Sequence, residues 1–258
     1  MKIAVCVKQV PESQAKRLDP ATKRLDRSGE GALNAFDANA IEEALRVKDT
    51  SGDGEVVLVS LGPDQAVDSL RKGLAMGADR AVLVSDPAAA GSDLVATSLA
   101  LAKALEREEA DLILFGQQSS DSDGAVLWAA VADRLRMPLV SQAAELTVAE
   151  GMARVKRQTE FGYDVIEASL PAVVAVSDAI NEPRYPSLKG IMGAKKKPQE
   201  SVNASDLGVD AAQLGEVGSK TEVLALGDPP ARGDTVKVED DGSGAQKIVD
   251  FLAEKRLL

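Results

Sequence analysis

The sequence predicts an α/β fold: a parallel sheet flanked by helices, with antiparallel strands added at one side and an extended C-terminal arm. Two observations carry the core of that prediction. Short apolar, β-branched runs alternate with segments of helical periodicity, the pattern of right-handed βαβ units. After Met137 the texture changes to several short runs separated by turn pairs, as strands of an antiparallel ribbon are. A third observation, Pro and Gly clusters ahead of a last helical stretch, sets off the arm.

The elements follow in order. IAVCV (Ile3–Val7) reads as a buried strand. The polar stretch from Pro11 to Gly31 is long for a connection, and such loops tend to be functional or to cover something. NAFDANAIEEALRVKD places Ala40, Ile41, Ala44 and Leu45 at helical spacing, with Asn34 or Asp37 available as a cap. EVVLVSL is a strand. PDQAVDSLRKGLAMG is a helix with Pro63 near its first turn and Gly77 as its stop. RAVLVSD is a strand, and SDLVATSLALAKALERE is a helix whose apolar stripe is Leu94, Val95, Leu99, Ala102 and Leu105. DLILFG is a strand and GAVLWAAVADRL a helix. Turn signals at Glu150-Gly151, Phe161-Gly162 and Pro171 then divide residues 138–178 into strands. A Pro-, Gly- and Lys-rich stretch covers 181–200. The tail from Ser201 is broken by Gly and Asp, and its last helix, GAQKIVDFLAEKRLL, is set apart by Pro229-Pro230 and Gly242-Ser243-Gly244. The expected division is a nucleotide-binding α/β domain at 1–200, with a partner-recognition loop and helix at 181–200, and an arm at 201–258 that packs on another chain.

Composition narrows the chemistry. The chain has 258 residues, 30 Lys+Arg against 41 Asp+Glu, a net charge of −11, no His and one Cys. Without His there is no Ser-His-Asp triad, Cys-His pair or imidazole metal site. One Cys excludes an internal disulfide and a thiolate-rich metal site, and points to a reducing, cytoplasmic setting. An acidic chain is a poor partner for nucleic acid or anionic membranes. No apolar run approaches the ~20 residues that span a bilayer. Catalytic and metal residues are therefore read as none.

In open parallel sheets, ligands bind beyond the carboxyl ends of the strands. Two loops qualify: VKQVPE after the first strand, and QQSSDSDGA after DLILFG. The second is rich in small residues and runs into a helix, a place for phosphate. Neither GxGxxG nor GxxxxGK[ST] is present. Asp121 and Asp123 read as helix cap or ribose contacts, because a carboxylate repels phosphate; as an acid–base pair or hard-metal site they find no further polar constellation to support them. Cys6 reads as a buried thiol. Trp128 reads as core or interface. Lys195–Lys197 reads as a solvated run or, beside Leu188, Ile191 and Met192, as a docking element.

Several motifs carry a resemblance. They are NEPRYPSLKGIMGAKKK (181–197), VKQVP (7–11), NAFD with IEEALRVK (34–48), LAMGADRAVL (74–83), GQQSSDSDG (116–124) and DLGV (206–209). In this order the chain resembles the β subunit of electron transfer flavoproteins. The resemblance implies a Rossmann-like, adenine-nucleotide α-hydrolase-like sheet. It also implies a heterodimer with an α subunit that holds most of a redox-active FAD. Electrons pass from acyl-CoA or other dehydrogenases to a quinone oxidoreductase or another acceptor. It implies one AMP in the β chain, or a second FAD in electron-bifurcating members. A stand-alone adenine-nucleotide sensor of the stress-protein type is the rival reading.

Carried over by position, nucleotide contacts fall on Cys6, Asn34, Ala35, Phe36, Asp37 and Leu61, and on Asp121, Ser122, Asp123, Gly124, Ala125, Val126, Leu127 and Trp128, continuing to about Ala132. Contacts at Cys6 and Leu61 are through backbone. Ser13 and Phe36 correspond to places near the α-subunit flavin. Leu188, Ile191, Met192, Lys195 and Lys196 correspond to the partner-recognition loop. Many relatives read DGDTAQVG where this chain has Gly124, Val126 and Trp128 in place of Thr, Gln and Gly. That departure leaves weaker nucleotide binding, backbone-only binding or an empty site open.

Overall fold

A computed structural model describes residues 1–13, 17–227, 230–231, 237–238 and 240–258. Pro229 of the expected Pro-Pro break lies outside them. The chain divides into two units, Met1–Val223 and Leu224–Leu258.

The fully apolar runs can only be buried on both faces, so they pair side by side as parallel strands. In chain order the first unit contains β1 (Lys2–Cys6), β2 (Gln9–Pro11), β3 (Leu18–Asp19), β4 (Arg24–Leu25), β5 (Gly31–Leu33), α1 (Ala35–Ser51), β6 (Glu55–Leu61), α2 (Val67–Met76), β7 (Arg80–Val84), α3 (Leu94–Glu108), β8 (Leu112–Gly116) and α4 (Leu127–Leu135). There follow β9 (Leu139–Ala149), β10 (Met152–Thr159), β11 (Gly162–Ser169), β12 (Ala172–Val176), α5 (Leu188–Ala194), β13 (Gln199–Val202) and the short α6 (Gly215–Gly218).

Nine strands form one sheet in the order β11-β10-β9-β12-β8-β1-β6-β7-β13. All neighbours from β9 to β13 are parallel, and β10 and β11 add the antiparallel edge. This is the expected α/β class. The turn at Glu150-Gly151 falls where the sequence places it, while the second is Glu160-Phe161, one residue early, with Gly162 opening β11. Small two-stranded pairings β2-β5 and β3-β4 sit within the long polar connection.

α1, α2 and α5 cover one face, burying Ile41, Leu45, Leu70 and Leu74 on Ile3, Val5 and Leu58. α3 and α4 cover the other, burying Leu101, Leu105 and Val131 on Cys6, Val57 and Phe115. Burying a Leu or Ile side chain contributes about 1.5–3 kcal/mol, so these two layers hold the strand ends in place.

Three local expectations change. α3 buries Ala96, Ala100, Leu101, Ala104 and Leu105, not a face led by Leu94 and Val95, each 39% exposed. Small alanines let α3 lie close to the sheet, which turns the two bulkier residues outward. α4 starts at Leu127, three residues later than the apolar pattern, because Asp123 (φ 49°) and Ala125 (φ 43°) take left-handed backbone that no helix continues through. β13 is a strand where the sequence pattern predicts none. Its sequence, QESV, has no apolar period, and it forms by lying against the edge of β7.

The second unit contains α7 (Gly244–Glu254), with Ile248, Val249 and Phe251 exposed on it and Leu257 and Leu258 exposed beyond it. No helix among the described residues is long and apolar enough to cross a membrane.

Candidate functional site

β1 is hydrogen-bonded to both β6 and β8. The chain leaves β1 toward β6 and β7 on one side, then returns to β8 on the other. This reversal splays the connecting loops apart and opens a crevice at the carboxyl ends. The crevice measures about 1840 Å³. Cys6 and Phe115 form part of its floor, Leu61 and Gly62 one wall, and the loop from Gly116 to Trp128 the other.

The loop wall is pinned by α1. Asn34 occupies the N-cap position of that helix, yet its side chain does not cap it. Instead Nδ2 donates to the Gln118 carbonyl (2.8 Å), and Oδ1 accepts the Ser120 N–H (3.2 Å). Asp37, in the first turn, is buried and accepts the Lys8 N–H at 2.7 Å. Gly116 makes this contact possible. A Cβ there would lie 2.5 Å from Asp37 Oδ1 and 2.6 Å from the Phe36 carbonyl carbon. Burial pushes the Asp37 carboxyl up from 3.8 to about 7, against the pull of the Lys8 and Gly116 N–H groups, Asn34 and the Lys8 charge. Burial, and secondarily Asp37, raise the Cys6 thiol well above its ordinary range, which leaves it an inert neutral group.

Asp121 does not cap a helix. Its carboxylate is 2% exposed, and Lys8 Nζ reaches Oδ1 at 2.8 Å. Arg27 approaches Oδ2 through Nη2 at 2.8 Å and Nε at 2.9 Å. Burial alone would raise this group. The hydrogen bond and charge of Lys8, the Ser119 hydroxyl and Arg27 outweigh it and hold the carboxyl at about 2. Lys8 Nζ also bonds the Ser119 and Ser122 hydroxyls, each at 3.2 Å. Both cations line the crevice, with the carboxylate behind them.

The N-termini of α3 and α4 both border the crevice, and they differ. Asp93 caps α3, accepting the Val95 and Ala96 N–H groups at 2.9 and 3.0 Å. Val126 is the N-cap of α4, and no side chain caps that end. A helix N-terminus attracts anions, and a carboxylate already in place repels them. The crevice thus favours the negative end of a ligand beside α4 and disfavours it beside α3. Trp128 both lines the crevice and packs on the α4 core. Its Nε1 donates to the Gln117 carbonyl at 3.0 Å, so the indole braces the loop.

The fold therefore gathers Cys6, Asn34, Asp37, Leu61, Ser122, Gly124, Ala125, Val126, Leu127 and Trp128 around one crevice. Ala35 and Asp123 are exposed and are not part of its lining. Phe36 is half-buried beside Gly116, and Ser13 is exposed outside the lining. Sequence reasoning missed Arg27 altogether and the wall role of Lys8. Arg27 sits in a polar stretch with no periodicity, so nothing local marks it. Among the described residues no cluster of three or more His, Cys, Asp or Glu is placed to hold a metal ion.

The 181–197 stretch is a separate feature. Its polar residues anchor it to α1. Asn181 Nδ2 donates to the Asn39 carbonyl (3.0 Å) and Glu43 (2.9 Å), and Arg184 Nε donates to Glu42 (2.7 Å). Gly190 lies against α2, where a Cβ would come within 2.4 Å of the Ala75 carbonyl oxygen. Lys197 is not part of a solvated run. Its Nζ donates to the Leu74 and Ala78 carbonyls (2.9 and 2.5 Å) at the end of α2. Lys195 and Lys196 remain exposed, as do Leu188 (75%), Ile191 (54%) and Met192 (71%).

Comparison with known proteins gives a consistent result. A family model described as electron transfer flavoprotein domain matches residues 22–207. The electron transfer flavoprotein subunit beta of Megasphaera elsdenii is 41% identical over 265 residues, 99% of this chain and 97% of the relative. That of Thermoanaerobacterium thermosaccharolyticum is 42% identical over 261 residues, all of both chains. The caffeyl-CoA reductase-Etf complex subunit CarD of Acetobacterium woodii is 39% identical over 262 residues, again all of both.

Proposed function

The chain belongs to the electron transfer flavoprotein family, as a beta subunit, and from that premise we propose that it holds an adenine nucleotide in the β1/β6/β8 crevice and pairs with an α subunit carrying the redox FAD. The observation that carries this reading is the convergence of Cys6, Asn34, Asp37, Leu61 and the 122–128 loop on one crevice whose negative-end preference is beside α4. The phosphate lies at the Val126–Trp128 turn, and the base lies toward the strand ends at Cys6 and Leu61. The side-chain hydrogen bonds of Thr and Gln in many relatives are replaced here by backbone N–H groups, as Gly124 and Val126 require.

FAD supplies the electron-carrying chemistry when bound. This chain's residues bind, orient and exclude water, and none acts as a catalyst. Asn34 and Trp128 fix the loop, while Asp121 keeps Lys8 and Arg27 at the crevice edge. Leu188, Ile191 and Met192, with Lys195 and Lys196, form the contact for redox partners. We take these to be dehydrogenases such as acyl-CoA dehydrogenases and a quinone oxidoreductase or other acceptor. The name of the Acetobacterium woodii relative, a caffeyl-CoA reductase-Etf complex subunit, supports acyl-CoA oxidoreductases as one partner class.

One observation favours a second reading. At about 1840 Å³ the crevice exceeds the roughly 300–1000 Å³ of an ordinary small-ligand pocket and has room for a dinucleotide. That reading places a second FAD in the β site, as bifurcation requires. Heat release and identification of nucleotides from the purified α/β complex separate the two. One FAD plus AMP supports the first, and two FAD support the second. A complex with one FAD and no other nucleotide overturns both.

A further inference from the structure

We propose that residues 17–31 form a charge-latched strap over the crevice, and that breaking the Arg27–Asp121 pair opens the crevice to nucleotide exchange. The proposal rests on the adenine-nucleotide reading and adds its regulation.

The strap contributes Thr22, Arg24, Leu25 and Arg27 to the crevice lining. It buries none of its side chains, and Leu18 is 54% exposed. Apolar burial therefore does not hold it down. It does hold its own shape. Asp19 Oδ1 accepts the Ala21 and Thr22 N–H groups (2.7 and 3.2 Å), the Asp26 N–H donates to the Arg17 carbonyl (2.8 Å), and β3 pairs with β4. At its base, β2 pairs with β5. Such a segment moves as a unit about its base.

Two arginines reach from it to opposite walls. Arg27 meets Asp121 on the loop wall. Arg24 meets Glu216 of α6 on the other, and its guanidinium lies where a Cβ on Gly91 would come within 2.1 Å. The two pairs are unequal. Glu216 is 74% exposed, so water and salt screen that contact. The Asp121 carboxylate is 2% exposed, so its pair with Arg27 is far less screened. Arg27 is thus the stronger of the two fastenings, and Lys8 keeps Asp121 partnered when Arg27 leaves.

The test is exchange of the bound nucleotide, in the purified α/β complex, against excess radiolabelled AMP. Arg27→Gln should exchange about tenfold faster than the unchanged protein, the factor expected for losing a charge-assisted bond to a buried carboxylate. Arg27→Lys should fall between them. Glu216→Gln should exchange no more than a few-fold faster at low salt, with the difference gone at high salt. An exchange rate unchanged in Arg27→Gln overturns the latch. A complex that releases no adenine nucleotide on heating refutes the nucleotide reading instead. In that case trypsin cleavage after Lys23 decides the latch. Faster cleavage in Arg27→Gln supports it, and equal cleavage overturns it.

Discussion

Asp37 shows how one buried carboxyl sets a pH dependence. The unfolded chain loses this proton near 3.8, and the folded protein near 7. Between those values the folded state binds the extra proton, so this group's contribution to stability falls as pH rises and is fully lost above about 7. Asp37→Asn keeps an acceptor for the Lys8 N–H and has no proton to lose. We expect the melting temperature to drop less between about pH 5 and pH 8 in Asp37→Asn than in the unchanged protein. Equal drops would contradict this assignment. Asp121 works in the opposite sense. Its depressed value stabilises the fold above the ordinary carboxylate range, and that contribution is lost as pH falls toward 2. Asp121→Asn leaves two half-exposed cations that water can re-solvate. Its cost in denaturant unfolding should therefore be about 1–3 kcal/mol, below that of stranding a buried charge. No loss would mean the pair is only a surface contact.

Among the elements, the contact between α1 and the end of β8 and that between α5 and α2 each depend on a glycine. Gly116→Ala places a methyl against Asp37 and the α1 backbone, and moving either tears the Asn34 clamp from the 118–120 loop. On the proposed nucleotide reading, the α/β complex should then retain its flavin and lose the adenine nucleotide on gel filtration. Retention of both would show that the loop tolerates the shift. At α5, Lys197→Met removes two bonds to carbonyls at the end of α2, at a cost of about 1–2 kcal/mol. Leu188→Ala removes an exposed side chain, so it should leave unfolding unchanged and slow electron transfer from a partner dehydrogenase. Unchanged partner kinetics in a verified heterodimer would remove Leu188 from the docking role. Sequence pattern foresaw α1 and α2, whose burial is one-sided and periodic, and the central strands, whose apolar runs are buried on both faces. It misplaced the start of α4 and missed β13, whose existence depends on backbone strain and on a neighbouring edge.

At the scale of the whole molecule, the two units differ in where their apolar side chains lie. The core of both sheet faces lies within Met1–Val223. The second unit leaves Ile248, Val249, Phe251, Leu257 and Leu258 exposed. If the arm is the contact for the α subunit, as its exposed apolar residues suit it to be, its removal has a defined consequence. Truncation after Val223 should leave the melting of the first unit intact and abolish the complex with the α subunit, read by light scattering. A truncated chain that still forms the heterodimer would place the contact in the first unit.

The amino-acid pattern alone determined the sheet class, the alternation of its central strands and helices, two loops at the crevice and the family motifs, because each is written in local periodicity or in contiguous residues. Only the tertiary structure decided which side chains meet. Asn34 left its helix to clamp a loop 84 residues away, Asp121 became the shared partner of Lys8 and Arg27, and Lys197 turned in to bond α2. The physical reason is the same for all three. A polar side chain's partner is set by which distant backbone or charge is buried beside it, and burial is a property of the packed sheet.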